Sequence, residues 1–530
     1  MPAAHFFLKT VADADPLKAA RAAYEADDFA AVESACRERL KTDPNDAHAL
    51  YLWGCAAART GRLPVALEVL TRASTLAPDE VAVLIELARV AVQAGRIEDA
   101  LRVIDRALEV RPALSRLHFL RAHCLRDLGR RPEAIASLQE AVRLDPRDAA
   151  SWLNLGNLLR LGDEAQQAIH CYDQALATAP EFVEAWINRG VALGDLLMHE
   201  AALHSYARAR ALAPNHSEVD YNEALLRLQT GDYETAWPLY ESRWQRPRLA
   251  AWRRRYGGGI WQGEPLAQGA RLLVHAEQGR GDALQFARYA PLLGRSGLQV
   301  ILELDPSLLS ILSALPGVSA VVAQGDALPA YDLHVSMASL PGFFKTSVHN
   351  IPSAQGYLPW PGGARPLNIH PAAAGRAPVV GLVWRGSPRH PNDARRSLTL
   401  TQMLTALPDA VSAVCLQSRL TDEERLLLQQ RGVRCFDTDA RDFSETATRL
   451  SQTDLLLTVD TAAAHLAGAL GQPVWVLLPF NPDWRWLLSR NDSPWYASAR
   501  LFRQEIPGDW TNPLRAVHDQ LLARASTQPD

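Results

Sequence analysis

The chain has 530 residues, 48% apolar and 22% charged, which is enough for roughly three to four domains with cores of their own. Its formal net charge of −4 argues against a nucleic-acid partner, because phosphate binding needs a basic surface. The opening MPAAHFFLKTVADADP has no apolar core of signal-peptide length, and nothing later approaches about 18 continuous apolar residues, so no leader and no transmembrane segment are expected. The six cysteines, Cys36, Cys55, Cys124, Cys171, Cys415 and Cys435, form no CxxC pair. They read as free buried thiols in a cytoplasmic chain.

The first half repeats. Pro44, Pro78, Pro112, Pro146, Pro180 and Pro214 follow one another at intervals of 34 residues, the tetratricopeptide period. Ala66, Ala100, Ala134, Ala168 and Ala202 share one register, and Ala73, Ala107, Ala141, Ala175 and Ala209 share another. Gly54, Gly156 and Gly190 mark a third, with alanine in other copies. Small residues let paired helices approach, large ones such as Trp152, Tyr172, Trp186 and Tyr206 fill the rest, and proline stops the second helix. An all-α solenoid is expected over residues 1–246, with five full repeats from Ala47 to Pro214 and degenerate copies on both sides. Such arrays build extended surfaces for polypeptide partners.

Asn154, Asn188 and Asn222 are also 34 residues apart, on the first helix of successive repeats. They resemble the asparagine ladder in the repeat superhelix of protein O-GlcNAc transferases, which implies amides that hold an acceptor peptide by its backbone. An amide both donates and accepts, so it suits that task. The alternative is asparagine tolerated on a solvated helix face. Leu52, Glu86 and Leu120 occupy this register in the earlier copies.

The pattern breaks from Arg243 to Gly269. This arginine- and glycine-rich stretch predicts an irregular linker over 247–268, tied to a neighbour by Trp252, Tyr256 and Trp261.

Short apolar runs then alternate with helical patterns, as in βαβ units. Strands are expected at 271–276, 298–304, 318–323 and 331–337. After a Pro/Gly-rich loop over about 352–377 they resume at 378–384, 411–417, 433–436, 454–459 and 473–479. This predicts two doubly wound α/β lobes, 269–375 and 376–530, the second with a C-terminal helix. Ligands of such sheets bind at the carboxyl ends of the strands.

Three strand ends carry candidate chemistry. In HAEQGRGDALQF (275–286), Gly279 and Gly281 allow a tight turn and Asp282 opens a helix, where it can act as a cap or as a base. VWRGSPRHPNDARRS (383–397) offers Arg385, Arg389, Arg395 and Arg396 to an anionic phosphate. In TVDTAAAHLAGALGQP (458–473), Asp460 ends a strand and Thr461 starts a helix. The free N–H groups of that helix suit a diphosphate, and His465 lies one turn on. Trp484 and Trp486 read as packing residues. No Walker A sequence and no convincing metal site is visible.

The motifs resemble glycosyltransferase family 9, the heptosyltransferase-like group with the two-lobed GT-B fold, over about 270–505. Gly281-Asp282 looks like that family's acceptor-side pair, whose aspartate is the base, and VDTAAAHLAGALGQPVWVL (459–477) looks like its donor-site motif. Ala462 stands where glycine is usual. Repeats joined to such a domain resemble bacterial protein glycosyltransferases, including flagellin-modifying ones. The resemblance implies a metal-independent inverting transfer from a nucleotide-sugar co-substrate to a protein Ser or Thr hydroxyl, with no other cofactor. Asp282 would be the base, with Glu277 or His275 as rivals. Arg385, Arg395, Arg396, Asp460, Thr461, Ala462 and His465 would face the donor, and Gly281 with the three asparagines the acceptor. Two other readings are a non-catalytic repeat scaffold and a transferase acting on a glycolipid or oligosaccharide.

Overall fold

The computed structural model describes residues 17–363, 377–390 and 392–526, and divides into two compact units, Met1–Ala213 and Pro214–Asp530. Half of the loop expected at 352–377, residues 364–376, and with it the lobe boundary at 375/376, lies outside the described residues.

Among its described residues the first unit is helical, without a strand. Its described residues form twelve helices, from Lys18–Glu25 to His199–Leu212. In each full repeat a first helix (Ala47–Arg59, Val81–Gln93, Ser115–Asp127, Ala149–Arg160, Val183–Asp195) is followed by a second. The second helices end at Leu76, Val110, Leu144, Thr178 and Leu212, and each periodic proline follows just beyond. The small-residue register has a steric cause. A methyl group on Gly156 would lie 2.6 Å from Tyr172 Cε1, so only glycine admits the tyrosine of the facing helix. The turn inside each repeat needs a left-handed residue, which Gly61, Gly95 and Gly129 supply at φ near +75°. Leu197 takes the same register at φ 58°, a conformation that costs an ordinary side chain about 1–2 kcal/mol.

A second bond recurs with the period. The Trp152 and Trp186 indoles donate to the carbonyls of Pro146 and Pro180 at 3.0 and 2.9 Å. His118 Nε2 meets the Pro112 carbonyl at 2.8 Å in the copy before. The ring N–H thus pins the loop between repeats. Trp152→Phe and Trp186→Phe should each lower stability by about 0.5–1.5 kcal/mol, read as a shift of the helical melting transition. A wild-type melt in the double variant would show that the bond contributes nothing.

The second unit begins with helices Ser217–Thr230 and Tyr233–Tyr240. By repetition alone they continue the array, so the sequence boundary at 246 and the boundary at 213/214 are different divisions. Their apolar residues explain the difference. Ala224, Leu228, Tyr233, Ala236, Trp237 and Tyr240 share one buried core with the first sheet and with Trp484 and Trp495. Trp237 Nε1 donates to the Thr346 carbonyl at 2.8 Å, and Trp495 Nε1 to the Tyr233 hydroxyl at 2.9 Å.

The presumed linker is structured. It holds a helix, Pro247–Arg253, and a short strand, β1 (Gly259–Ile260), that sequence reading missed. Its buried Tyr256 and Trp261 pack on the first sheet as the aromatic pattern suggested. Arg243 is fully buried, paired with Glu241 and Glu277 and donating to Ser336 and Ser339.

Two five-stranded parallel sheets follow. The first is ordered β1-β5-β2-β3-β4, with β2 (Arg271–His275), β3 (Gln299–Leu304), β4 (Val318–Ala323) and β5 (Leu333–Ser336). The second is ordered β10-β9-β8-β6-β7, with β6 (Val379–Val383), β7 (Ser412–Cys415), β8 (Leu455–Val459), β9 (Val474–Leu478) and β10 (Ala499–Arg503). The strand expected at 433–436 is reduced to a single bridge, Val414 to Arg434, because the chain leaves β7 after one pairing. The edge strand β10 was missed. Helix Thr511–Ser526 closes the far face of the second sheet through Leu514, Val517 and Leu521.

The order reverses between β2 and β5 in one sheet and between β6 and β8 in the other. Segments that leave such reversals open a crevice, since neighbouring connections run to opposite faces. The segments after β2, β6 and β8 carry the three candidate motifs.

Candidate functional site

The turn after β2 places Gly279 as N-cap of the helix Arg280–Phe286. Asp282 is therefore the third residue of that helix and not its opener. Its Oδ2 reaches back to accept the Gly279 N–H at 2.8 Å. Its Oδ1 accepts from Arg485 Nη2, and Arg485 Nη1 also binds Asp483 at 2.7 Å. Arg485 is a buried cation between two carboxylates, and it lies over the Trp484 ring at 4.3 Å.

The segment after β8 meets this turn. Thr461 is the N-cap of the helix Ala462–Ala469, and its hydroxyl lies 3.2 Å from that of Thr458. A methyl group on Gly281 would fall 2.8 Å from His465 Cδ2 and 3.7 Å from the Ala462 α-carbon. The motifs after β2 and β8 are thus in contact, and glycine at 281 is what lets them be.

His465 is buried, stacks on Trp486 with ring centroids 5.4 Å apart, and shares a 2.9 Å hydrogen bond with the Tyr496 hydroxyl through Nδ1. Burial and the nearby Arg485 push its pKa down to about 3, so the ring is neutral at physiological pH. A tautomer with the proton on Nε2 makes Tyr496 the donor to Nδ1 and leaves one N–H to offer. Asp460 Oδ1 lies 4.0 Å from that Nε2. Burial and the charge of Asp483 push Asp460 up to about 6, against the pull of Arg396 and Arg485. Asp483 is held below the usual carboxylate range, since Arg485 outweighs the cost of its burial.

The loop after β6 contributes unevenly. Arg396 acts electrostatically on both Asp460 and His465, and pairs with Asp393 at 3.3 Å. Arg395 precedes it in the short helix Asp393–Arg396. His390, exposed and not singled out from sequence, has its pKa lowered by partial desolvation and Arg396, with Asp483, Asp393 and Asp282 acting the other way. This loop therefore lies within electrostatic range of the carboxylates of both other motifs. Arg385 does not join them. It is paired with Glu424, donates to the Arg419 carbonyl at 2.7 Å, and belongs to the frame of the second sheet. Arg389 is exposed.

The two rival bases are built into the core. Glu277 is buried 3.3 Å from Arg243. His275 stacks on Tyr256 at 4.1 Å and lies 3.3 Å from His334 Nδ1 through Nε2. Trp484 and Trp486 are buried packing residues, although Trp486 also forms the floor beneath His465. Arg485, Asp483 and Tyr496 went unnoticed in the sequence.

The asparagines are divided between the units. Asn154 donates to the Ala150 carbonyl of its own helix at 2.8 Å. Asn188 donates to Asn157 Oδ1 at 2.9 Å, an oxygen that also accepts from Tyr172 at 2.9 Å. Each of these two amides thus has one N–H engaged inside the array. Asn222 is half-buried in the second unit.

One titration is accessible to experiment. Asp460 is raised, so it takes up a proton as pH falls through about 6, and a negative charge then leaves the site. If the site takes a diphosphate, the affinity for inorganic diphosphate should rise from pH 7.5 to 5.5 by about threefold to tenfold for one linked proton. Asp460→Asn should flatten the profile. An unchanged slope in that variant would assign the proton to another group. His465 contributes nothing in this window.

A tetratricopeptide-repeat family model matches residues 17–81, 85–149, 119–169 and 157–195. These residues form tetratricopeptide repeats. Protein FlbA of Caulobacter vibrioides is 26% identical over 318 residues, covering 55% of this chain and 53% of its own length. The chain thus spans about half the length of the curated relative it matches. Among solved structures, YrrB, described as a TPR protein with an unusual peptide-binding site, is 20% identical over 35% of this chain and 96% of its own, with a TM-score of 0.32. PilF of Pseudomonas aeruginosa is 17% identical over 40% and 97%, with a TM-score of 0.34. MamA of Desulfovibrio magneticus is 20% identical over 31% and 92%, with a TM-score of 0.29. The tetratricopeptide repeats imply protein partners. Among the described residues no helix is long and apolar enough to cross a membrane.

Proposed function

We propose that the chain is a glycosyltransferase of GT-B architecture, which moves a sugar from a nucleotide-sugar donor to a Ser or Thr hydroxyl of a protein recruited by the repeats. The observation that carries this reading is the contact of Gly281-Asp282 with Asp460–His465 at the order reversals of two parallel sheets. In this reaction the acceptor oxygen attacks the anomeric carbon and the bond from that carbon to the phosphate oxygen breaks. The nucleoside diphosphate leaves with the electron pair, and the hydroxyl proton passes to Asp282. Arg396, the His465 N–H and the start of helix Ala462–Ala469 stabilise the leaving phosphates. Inversion, metal independence and a flagellin-like acceptor in the cytoplasm come from the resemblance to glycosyltransferase family 9 and its repeat-bearing members.

One observation favours a second reading, a scaffold without turnover. Both carboxylate oxygens of Asp282 already accept hydrogen bonds, from Arg485 and from the Gly279 N–H. A thermal-shift panel of nucleoside diphosphates and nucleotide sugars separates the two. A ligand at about 100 times its Kd should stabilise the folded chain by about 2.7 kcal/mol. Release of nucleotide on adding acceptor protein then establishes turnover. No shift with any nucleotide would overturn the transferase.

A further inference from the structure

Two repeats of the array, separated by one, carry the same polar bridge, on an arginine register that holds Trp53, Leu87, Leu155 and Glu223 in the other copies. Arg121, on a first helix, donates from Nε to Asp105 Oδ1 at 2.8 Å and from Nη1 to Ser137 Oγ at 2.8 Å. Two repeats on, Arg189 donates to Asp173 at 2.6 Å and to Ser205 at 2.9 Å. Each guanidinium spans the second helices of consecutive repeats and fills the space above the first helix between them. In the intervening copy the three equivalent positions hold Leu155, Gln139 and Cys171, each 34 residues from its counterparts. The long cation is missing, and so are the aspartate and the serine that accept from it. A cleft of about 490 Å³ lies there instead.

Its chemistry narrows the occupant. Val142, Leu155 and Leu159 line it with hydrocarbon, and Trp152 stands edge-on to His170 with ring centroids 6.3 Å apart. Gln139, Gln166 and Gln167 supply amides. No Asp, Glu, Lys or Arg lines it, so an ionised group would lose hydration and meet no countercharge. An apolar side chain loses nothing there, and the amides can both donate to and accept from the peptide groups beside it. The volume falls in the usual range for ligand sites, about 300–1,000 Å³. We propose that this cleft receives one bulky uncharged side chain, phenylalanine or leucine, from an extended segment of a partner polypeptide, with the glutamines holding the adjoining backbone. The site is separate from the asparagine register and does not depend on transfer chemistry.

The test uses the full chain and end-blocked Gly/Ser peptides with one central Phe, Leu, Arg or Glu, titrated by calorimetry and by Trp152 fluorescence. Two variants close the cleft. Gln139→Asp with Leu155→Arg and Cys171→Ser restores the bridge of the flanking repeats, and Leu155→Trp fills it with hydrocarbon. The Phe and Leu peptides should bind the wild type, and bind both variants about tenfold to a hundredfold more weakly. The Arg and Glu peptides should bind the wild type more weakly by a similar factor. The bridged variant should melt no lower than the wild type. Equal binding to wild type and variants, no preference for Phe and Leu, or no binding at all would overturn the proposal. A change of oligomeric state in the closed variants would do so too, by assigning the cleft to a second copy of the chain.

Discussion

Asp282→Asn should lower turnover by about 10²–10⁴ with donor affinity little changed, because the amide keeps the shape of the carboxylate and loses its basicity. The variant is suited to the question for a structural reason. An amide oxygen still accepts the Gly279 N–H, so the start of helix Arg280–Phe286 keeps its cap. Arg485 keeps Asp483 as an anionic partner, so the buried cation is not stranded. Part of the cost of breaking a buried pair is thereby avoided. Turnover near the wild-type rate would remove Asp282 as base. Neither Glu277 nor His275 would then inherit the role, since Arg243 and the Tyr256 and His334 rings already hold them inside the core. Arg485→Gln is the informative companion. It frees one Asp282 oxygen, so a gain in activity at fixed donor would show that Arg485 restrains the base, and a loss that it positions it.

The largest effect on stability is expected at Trp237. Its ring packs against Tyr233, Tyr240 and Trp484, and its indole nitrogen binds the Thr346 carbonyl. Trp237→Ala should destabilise the Pro214–Asp530 unit by about 3–5 kcal/mol, the usual cost of removing a large core aromatic. In a urea titration of the full chain, near-ultraviolet dichroism should show this unit unfolding at lower denaturant. Trp152→Ala, in the other unit, should leave that transition in place. A chain starting at residue 247 should fail to fold for the same reason, whereas one starting at 214 keeps its core. A soluble, cooperatively melting product from 247 would contradict this account.

These two predictions rest on residues of unequal legibility. The repeats were plain because proline and small residues recur where geometry forbids alternatives. The central parallel strands were plain because both faces are buried and the runs are apolar. The allegiance of helices Ser217–Thr230 and Tyr233–Tyr240 was hidden, because one helical period serves whichever partner the apolar face meets. In the site, Gly281, Asp282, Asp460 and His465 stood out as punctuation after strands. Arg485 and Asp483 did not, since they lie among tryptophans in NPDWRWLL and gain their meaning only from a residue some two hundred positions away. Arg385 is the converse case. It stands in a basic loop, but Glu424 had already claimed it. The asparagine register was legible as a period, yet period says nothing about whether an amide is already engaged.

The bare α-carbon of Gly281 has a mechanical consequence. The space it leaves is too small for one methyl group, and His465 and the Ala462 backbone stand on the other side. At this point helices Arg280–Phe286 and Ala462–Ala469 rest against each other with no space to spare, so any side chain at 281 must push them apart or displace the His465 ring.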